Sequence, residues 1–268
     1  MCVYLVVFVV LSYLALMKYI YYRDGRTFVK SLKHVMSLSS DGEPNSVTAL
    51  VVTAHPDDEC MFFAPTIIRL VELNVCVHLL CLSEGNYYNQ GAERRKELFS
   101  SCAILGIPTS RVTILDHRKL PDDPRSEWSV SLVSSTIVKH IRAHSCNLVL
   151  TFDGRGVSGH ANHTALHKAV RHLACTGAAP NDCVLLSLDT VSFLRKYVSI
   201  LELPVSELLP SHLCCIIGSR GYRRAKAAML CHRTQLLWFR YLYIAFSRYM
   251  FVNTFQLIPQ GPKNLKIY

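Results

Sequence analysis

The sequence has no Cys-x-x-Cys pair, although it contains 11 cysteines, an odd number. Most of these cysteines lie in apolar runs, where a free cysteine behaves as a small buried hydrophobic residue. The pattern argues against a disulfide framework and is typical of a reduced protein that faces the cytosol. The chain also has no internal repeat and no long low-complexity segment.

Charge is scarce too, because Asp, Glu, Lys and Arg make up only 18% of the 268 residues. This is low for a purely soluble protein. The charge that is present is unbalanced, with a formal net charge of +10. Anionic lipid, a phosphorylated substrate or nucleic acid could each explain a basic chain. No Lys/Arg-rich block interleaved with aromatic residues lies near the polar clusters, so we expect no nucleic-acid partner.

The first charge-free segment, Cys2–Met17, is dense in Val, Leu and aromatic residues, and the apolar stretch continues past Lys18 to Tyr22. At about 1.5 Å per residue, a helix over residues 2–22 is about 31 Å long, enough for a ~30 Å hydrocarbon core. Basic residues follow this stretch rather than precede it, which places the rest of the chain in the cytoplasm. We expect a single-pass membrane anchor over residues 1–22, with a signal peptide or a buried helix as alternatives.

A basic juxtamembrane segment and polar linker, residues 23–46, is predicted to precede a folded domain over residues 47–268. Within this domain, strand and helix patterns alternate as βαβαβαβα. This order predicts a Rossmann-like α/β fold, with a mostly parallel sheet and helices on both faces. The predicted strands are Val47–Thr53, Val75–Leu82, Val112–Leu115, Leu148–Thr151, Val184–Leu188 and Leu213–Ile217. The predicted helices are Phe62–Leu73, Gly91–Leu105, Val130–His144 and Asn162–Leu173.

The last segment, Gly221–Tyr249, is predicted to be strongly helical, with basic residues interleaved among apolar ones. Two interpretations are open. The segment is either a core helix with a solvated basic side, which we favour, or an interfacial helix that lies on anionic lipid.

An imidazole and three carboxylates fall close together between His55 and Glu59, at the end of the first predicted strand. Such a cluster beside a core is unfavourable unless its charge is compensated, and a metal ion compensates it most directly. His55 and Asp58 are three residues apart, so a strand-to-helix turn can point both at one ion. A third ligand from elsewhere would leave a position for water, as in a catalytic zinc site.

A second polar cluster follows the fourth predicted strand and contains His160 and His163, again three residues apart. Ligands of such sheets bind beyond the carboxyl ends of the strands, so the two clusters can form one site. One imidazole can bind the metal while the other faces the substrate. A His/His/Asp ligand set suits Zn²⁺, although iron(II) or manganese is also compatible.

The remaining polar side chains can supply proton transfer. Asp57 is a carboxylate beside the metal that can take a proton from a water acidified by the ion. His160, when protonated, can stabilise an oxyanion and donate a proton to a leaving amine. Glu59 is expected to orient a metal ligand through a hydrogen bond.

These residues resemble a known family. The combination of Ala54–Glu59 and Gly159–His163 is similar to the zinc-dependent GlcNAc deacetylases. Three further stretches look like the eukaryotic N-acetylglucosaminyl-phosphatidylinositol de-N-acetylases of GPI-anchor synthesis, and the likeness runs from about Val47 to Phe251. Those stretches are Cys60–Pro65, Gly85–Gly91 and Arg155–His160.

The resemblance implies a role for each residue of the two clusters. His55, Asp58 and His163 match the family's metal ligands. Asp57 matches its general base, and His160 matches the imidazole that stabilises the oxyanion and acts as acid.

The resemblance also extends outside the clusters. Arg94 matches the substrate-contacting arginine. His232 lies in a C-terminal run that looks like a family segment, and we interpret it as a helix-surface histidine.

The reaction implied by the resemblance is hydrolysis of the N-acetyl group of GlcNAc-phosphatidylinositol to GlcN-phosphatidylinositol and acetate, the second step of GPI-anchor synthesis. The implied cofactor is Zn²⁺ or another divalent metal, and the implied location is the cytoplasmic face of the endoplasmic reticulum membrane. A deacetylase for another N-acetyl sugar and a non-catalytic, metal-stabilised lipid-binding protein are the alternatives. Binding alone would need neither Asp57 nor His160.

Overall fold

The computed structural model describes residues 2–38, 47–123 and 125–261, and its strands form one seven-stranded sheet. The strands are β1 (Thr48–Thr53), β2 (Cys76–Cys81), β3 (Val112–Ile114), β4 (Leu148–Phe152), β5 (Val184–Leu188), β6 (Leu213–Ile216) and β7 (Val252–Leu257). Their order is β3-β2-β1-β4-β5-β7-β6. Strands β1 to β5 are parallel, and β7 runs antiparallel to both β5 and β6. The predicted α/β fold with a mostly parallel sheet is confirmed.

Helices pack around this sheet in two groups: α3, α4 and α10 contact one another, and α5 contacts α7. The helices are α1 (Cys2–Ser37), α2 (Asp58–Phe62), α3 (Ala64–Glu72), α4 (Gly91–Leu105), α5 (Val130–Ala143), α6 (Gly156–Gly159), α7 (Ala161–Thr176), α8 (Phe193–Lys196), α9 (Leu203–Leu208), α10 (Ser219–Met229) and α11 (Trp238–Phe246). Short 3₁₀ turns cover Thr109–Arg111, Ser199–Glu202, Arg233–Gln235 and Arg248–Met250.

The strand order places the two predicted polar clusters side by side. Strands β1 and β4 are neighbours, with Ala49 opposite Leu148 and Val51 opposite Leu150. The chain winds from β1 towards β3 and then returns to the other side of β1 with β4, so the order reverses between these two strands. Their carboxyl ends therefore form the crevice where doubly wound sheets bind ligands.

Helix α1 is continuous from Cys2 to Ser37 and has two different surroundings. Its first part, Val3–Arg23, is long and apolar enough to cross a membrane. Its last part is buried, because Phe28, Leu32 and Val35 belong to the main core of the domain. The boundary predicted at residue 22 thus falls inside one helix, and residues 23–37 pack as part of the domain rather than as an open linker. The rest of the predicted linker, residues 39–46, lies outside the described residues.

The C-terminal segment predicted as one helical stretch, Gly221–Tyr249, is instead divided. Helix α10 ends at Met229, and the chain turns before α11 begins. The turn is fixed by a side chain of another helix, because the Glu97 carboxylate accepts hydrogen bonds from the Thr234 N–H (2.9 Å) and hydroxyl (2.6 Å). These bonds to a distant residue stop the helix, and a local sequence pattern does not contain them. Strand β7 was not predicted either.

We expect Phe28→Ala to destabilise the folded domain by about 3–5 kcal/mol, because the ring is fully buried and a cavity would replace it. Lys30→Ala, on the exposed side of the same helix, is the control and should change the free energy of unfolding by at most about 0.5 kcal/mol. Denaturant unfolding in detergent measures both values. Equal stability of the two variants would contradict the assignment of this part of α1 to the domain core.

Candidate active site

The turn after β1 holds the first cluster in a strained but well-supported conformation. Asp57 has a φ of 113°, which L-residues rarely adopt. Its N–H donates to Oε2 of Glu59 at 3.0 Å, and its own Oδ2 accepts from Nη2 of Arg240 at 2.8 Å. Next to it, Oδ2 of Asp58 accepts from the N–H groups of Ala54 and His55, both at 2.9 Å. Strain of this kind persists only where surrounding contacts hold it, which is common at functional sites.

The loop after β4 positions the second cluster. Oδ1 of Asp153 accepts from the Gly156 N–H at 2.9 Å and from the Thr190 hydroxyl at 2.6 Å, which fixes the loop. Nδ1 of His163 lies 3.0 Å from the Gly156 carbonyl oxygen, and its ring stacks on Phe152 with centroids 4.0 Å apart. When Nδ1–H donates to that carbonyl, the Nε2 lone pair faces the first cluster.

The two clusters converge around one point. Oδ1 of Asp58 lies 3.1 Å from Nε2 of His163, and its Oδ2 lies 3.9 Å from Nδ1 of His55. The ligand atoms of His55, His160 and His163 all lie within 4.8 Å of one another. Nε2 of His163 is buried, and its contact with the Asp58 oxygen lacks good hydrogen-bond geometry. Imidazoles and a carboxylate around this nitrogen fit a divalent cation of the zinc type.

The pKa shifts of His55 and Asp58 suit ligation, whereas His163 has to release its proton when a metal binds. Burial lowers the pKa of His55 to about 3, so its imidazole is neutral at physiological pH. Burial alone would raise the pKa of the Asp58 carboxyl, but His163 and His55 hold it well below its usual range. Burial would likewise lower the pKa of His163, but the Asp58 carboxylate raises it. A neutral imidazole and an ionised carboxylate are the forms that bind metal.

The pKa of Asp57 is shifted in the opposite direction to that of Asp58. Burial raises the pKa of the Asp57 carboxyl to about 6, against the lowering influence of the Arg240 guanidinium. A carboxylate with a pKa near the operating pH is well matched to general-base chemistry.

A cavity of about 890 Å³ opens over these groups. Six of the seven predicted site residues line it: His55, Asp57, Asp58, Arg94, His160 and His163. The seventh, Glu59, is fully buried beneath them. Aromatic side chains form much of the remaining wall, so the polar site lies in a largely apolar cavity, as is usual for small-molecule sites.

Comparison with known proteins identifies the family. A family model described as "PIG-L: GlcNAc-PI de-N-acetylase" matches residues 50–174. The chain is 50% identical over 209 residues to the N-acetylglucosaminyl-phosphatidylinositol de-N-acetylase of Bos taurus, covering 78% of this chain and 83% of that protein. The chain belongs to this de-N-acetylase family. The resemblance expected from the motifs is confirmed.

Two further comparisons agree with the family assignment. The chain is 32% identical over 234 residues to the probable N-acetylglucosaminyl-phosphatidylinositol de-N-acetylase of Dictyostelium discoideum, covering 76% of this chain and 91% of that one. The solved structure of N,N'-diacetylchitobiose deacetylase from Pyrococcus horikoshii is 16% identical and has a TM-score of 0.60. It covers 90% of this chain and 96% of its own, and at this identity the likeness establishes the fold.

In this de-N-acetylase, Glu59 supports the turn rather than a metal ligand. Its Oε2 accepts from the Asp57 N–H, and its Oε1 accepts from the Ser101 hydroxyl. The same Oε1 lies 2.8 Å from Nε2 of His232, which is fully buried. The interpretation of His232 as a surface histidine is therefore wrong. The contacts described for Glu59 hold the backbone of Asp57, so the expected hydrogen bond to a metal ligand is replaced by one to the predicted base.

The pair of Glu59 and His232 is electrostatically matched. Burial would raise the pKa of the Glu59 carboxyl, but His232 holds it below its usual value. Burial would lower the pKa of His232, and Glu59 raises it. An ion pair in a fully buried position therefore joins the chain just after α10 to the turn after β1.

Arg94 lies at the cavity wall, with its guanidinium already engaged by the protein. Nη1 donates to the Gly85 carbonyl oxygen at 2.8 Å and to Oδ2 of Asp122 at 3.0 Å, and Nη2 donates to the Pro56 carbonyl oxygen at 3.0 Å. Gly85 has a φ of +72°, and a Cβ there would overlap the guanidinium. Arg94 thus ties two loops to the turn after β1. Its contact with substrate stays a prediction.

Three residues near the predicted site were missed by the sequence analysis. Oδ1 of Asp122 lies 3.1 Å from Nε2 of His55, and the Asn162 amide nitrogen lies 3.0 Å from the same atom, so both side chains position the imidazole. Asp122 lies in a polar loop after the third strand, at the same sheet edge, and that position was an available signal. For His232 the C-terminal run that resembles a family segment was a signal, but its burial depends on the turn between α10 and α11; Arg240 had no such signal.

We expect the Glu59–His232 pair to be energetically coupled. Removing one partner of a buried ion pair typically costs about 3–5 kcal/mol, so Glu59→Gln and His232→Gln should each be strongly destabilising. The double variant should cost less than the sum of the two, by about 0.5–3 kcal/mol.

The exposed pair of Glu93 and Lys96 is the matched control for this double-mutant cycle. Glu93→Gln and Lys96→Gln should show almost no coupling, because solvent screens surface pairs. Unfolding of all six variants measures both cycles. Additive costs at Glu59 and His232 would contradict the proposed pairing.

Proposed function

We propose that this protein hydrolyses the N-acetyl group of GlcNAc-phosphatidylinositol, releasing acetate and leaving GlcN-phosphatidylinositol. The observation that carries the proposal is the single cavity in which Asp57 and His160 stand beside the cluster of His55, Asp58 and His163. Close identity to a de-N-acetylase supports the substrate. A non-catalytic lipid-binding protein is not favoured, because binding requires no buried base.

We propose Zn²⁺ as the ion, held by His55, Asp58 and His163. When bound, zinc supplies Lewis-acid polarisation of the amide carbonyl and a water of lowered pKa. The chain's own residues prepare the site: the contacts of Asp58 with two backbone N–H groups fix its carboxylate, and stacking on Phe152 fixes the His163 ring.

Proton transfer falls to Asp57 and His160. The Asp57 carboxylate faces the cavity and accepts a proton from the attacking water, while Arg240 holds its Oδ2. Nδ1 of His160 accepts the Asn162 N–H at 3.3 Å, which orients the imidazole at the start of α7. Burial and the neighbouring His163 lower the pKa of His160, so its protonated form readily donates to the leaving amine.

Further features support the substrate and the location. We assign Arg94 to substrate contact from its place in the cavity wall. The net charge of +10 suits a phosphate headgroup and an anionic leaflet. We place the catalytic domain at the cytoplasmic face of the endoplasmic reticulum membrane, supported by the apolar helix Val3–Arg23 and the basic residues after it.

Replacing the base should separate chemistry from metal binding. We expect Asp57→Asn to reduce acetate release from GlcNAc-phosphatidylinositol by at least about 100-fold, because the amide cannot accept the proton. The variant should keep its metal, as measured by elemental analysis of the purified protein. Asp58→Asn is the control and should lose both metal and activity. A fully active Asp57→Asn protein would overturn the mechanism.

Arg240 should set the acidic limb of the pH–rate profile. Its guanidinium favours the ionised form of Asp57, so Arg240→Gln should raise the pKa of Asp57, by about one unit or more. The fraction of ionised base at a given acidic pH then falls, and the acidic limb of kcat/KM moves to higher pH. Arg240→Lys keeps the positive charge and should move it less. If the acidic limb of kcat/KM has the same midpoint pH in both variants and in the wild type, the role of Arg240 is contradicted.

A further inference from the structure

Exposed apolar side chains are concentrated in two segments. From residue 47 onward, the exposed large hydrophobic side chains of the described chain all belong to residues 193–209 and 237–246, except Leu73, Tyr87 and Tyr88. We call the exposed side chains of these two segments the rim surface. Its exposure is high, with Leu208 at 84% and Trp238 at 75%. Large apolar side chains exposed together in this way mark an interaction site in a folded protein.

The rim surface borders the mouth of the active-site cavity. Phe193 of α8 and Tyr197, which follows α8, line the cavity, and Phe239, Leu242 and Phe246 line it from α11. The cavity therefore leads from polar catalytic groups at its floor to apolar side chains at its mouth. These aromatic and aliphatic residues line the cavity and are also exposed at the outer surface.

Helix α1 is joined directly to the first segment of the rim surface. The Tyr13 hydroxyl donates to the Leu201 carbonyl oxygen, and Arg23 forms an ion pair with Glu207. Between these contacts, Ile20 packs against Leu203 in a small buried cluster. The segment thus runs alongside the apolar part of α1 rather than beyond its end.

This contact fixes the depth of the rim surface relative to the helix. Tyr13 lies within the apolar span Val3–Arg23, about 15 Å along the axis from Arg23 at about 1.5 Å per residue. That distance is about half of a ~30 Å hydrocarbon core. When the span lies in a bilayer, Leu201 lies at the level of its interior, and Glu207 lies near the headgroups with Arg23.

We propose that the rim surface is immersed in the lipid leaflet that contains residues 13–23 of α1, so that the cavity opens into the leaflet and not into water. The occupant of the surface is the acyl-chain region of the bilayer. If the proposed function holds, the acyl chains of the substrate stay among the rim side chains while its sugar reaches Asp57 and His160.

The charged groups beneath the rim surface are consistent with a lipid environment, because each of them is paired. The Glu202 carboxylate is buried and pairs with Arg195 and with Nε of Arg248 at 3.1 Å. It also accepts the hydroxyl of Ser206, which in turn accepts Nη2 of Arg248 at 2.6 Å. Ionisable groups at membrane depth pair in this way, facing the protein interior.

Trp238 offers a direct test, since the chain has only two tryptophans and Trp128 is buried. The full chain is placed in vesicles whose lipids carry bromine atoms on their acyl chains, and fluorescence is compared between the wild type and Trp238→Phe. The difference isolates Trp238, and we expect it to be quenched by at least half relative to unbrominated vesicles. An unquenched Trp238 would overturn the proposal.

A control tryptophan tests whether the quenching is local. Lys139 is exposed on α5, which packs mainly against α7. In the variant Trp238→Phe/Lys139→Trp, the added fluorescence should not be quenched. Equal quenching at residues 139 and 238 would also refute immersion of the rim surface.

Rates on a membrane-embedded and on a water-soluble substrate distinguish membrane contact of the rim surface from the deacetylase reaction itself. Leu194→Glu/Leu201→Glu changes two exposed rim residues that do not line the cavity. We expect kcat/KM on vesicle-embedded GlcNAc-phosphatidylinositol to fall at least about tenfold, through KM, because charge is disfavoured in hydrocarbon. On the water-soluble GlcNAc-inositol phosphate, kcat/KM should be unchanged. Equal loss on both substrates would contradict the proposal.

Two further proteins serve as controls: a variant with two substitutions on α5, and the wild type. Ser131→Glu/Ser135→Glu adds the same charge to another exposed surface and should leave both rates unchanged. A loss on the vesicle substrate in this variant would assign the effect to charge alone and refute the rim surface. If the wild type hydrolyses neither substrate, the proposed function fails, and the fluorescence result still decides the membrane contact.

Discussion

The buried carboxylate of Asp58 is the group on which the arrangement of the site depends. It accepts two backbone N–H groups of its own turn and faces two imidazoles, one from its own turn and one from α7. A single ionised group in a fully enclosed position requires such compensation. The compensation is supplied by both halves of the parallel sheet, so the carboxylate joins β1 to the element that follows β4.

The C-terminal segment completes the site from the other direction. His232 pairs with Glu59, and Glu59 holds the N–H of Asp57, while Arg240 holds the Asp57 carboxylate. The strained backbone at Asp57 is thus fixed from two points of one segment. Because Phe239 and Leu242 of the same segment line the cavity mouth, the helix that contacts the base also forms the apolar rim.

Helix α1 joins the apolar part that can cross a membrane to the core of the folded domain. Its apolar part and its core-facing part are one continuous element, with Ile20 and Phe28 buried in different clusters. A rigid helix that packs into the domain fixes the orientation of the domain relative to whatever surrounds its apolar part. The cavity mouth then has a defined position beside that helix, which a flexible linker would not provide.

The sequence by itself determined the strand and helix alternation of the parallel half, because buried parallel strands are short apolar runs with local turn signals. It also determined both polar clusters, since their spacing of three residues is a local property. The tertiary structure alone decided the partners of Glu59 and Asp57, the division of Gly221–Tyr249 and the packing of residues 23–37. Each depends on contacts between residues far apart in the chain, such as Glu97 with Thr234 and Glu59 with His232, and local patterns do not encode such contacts.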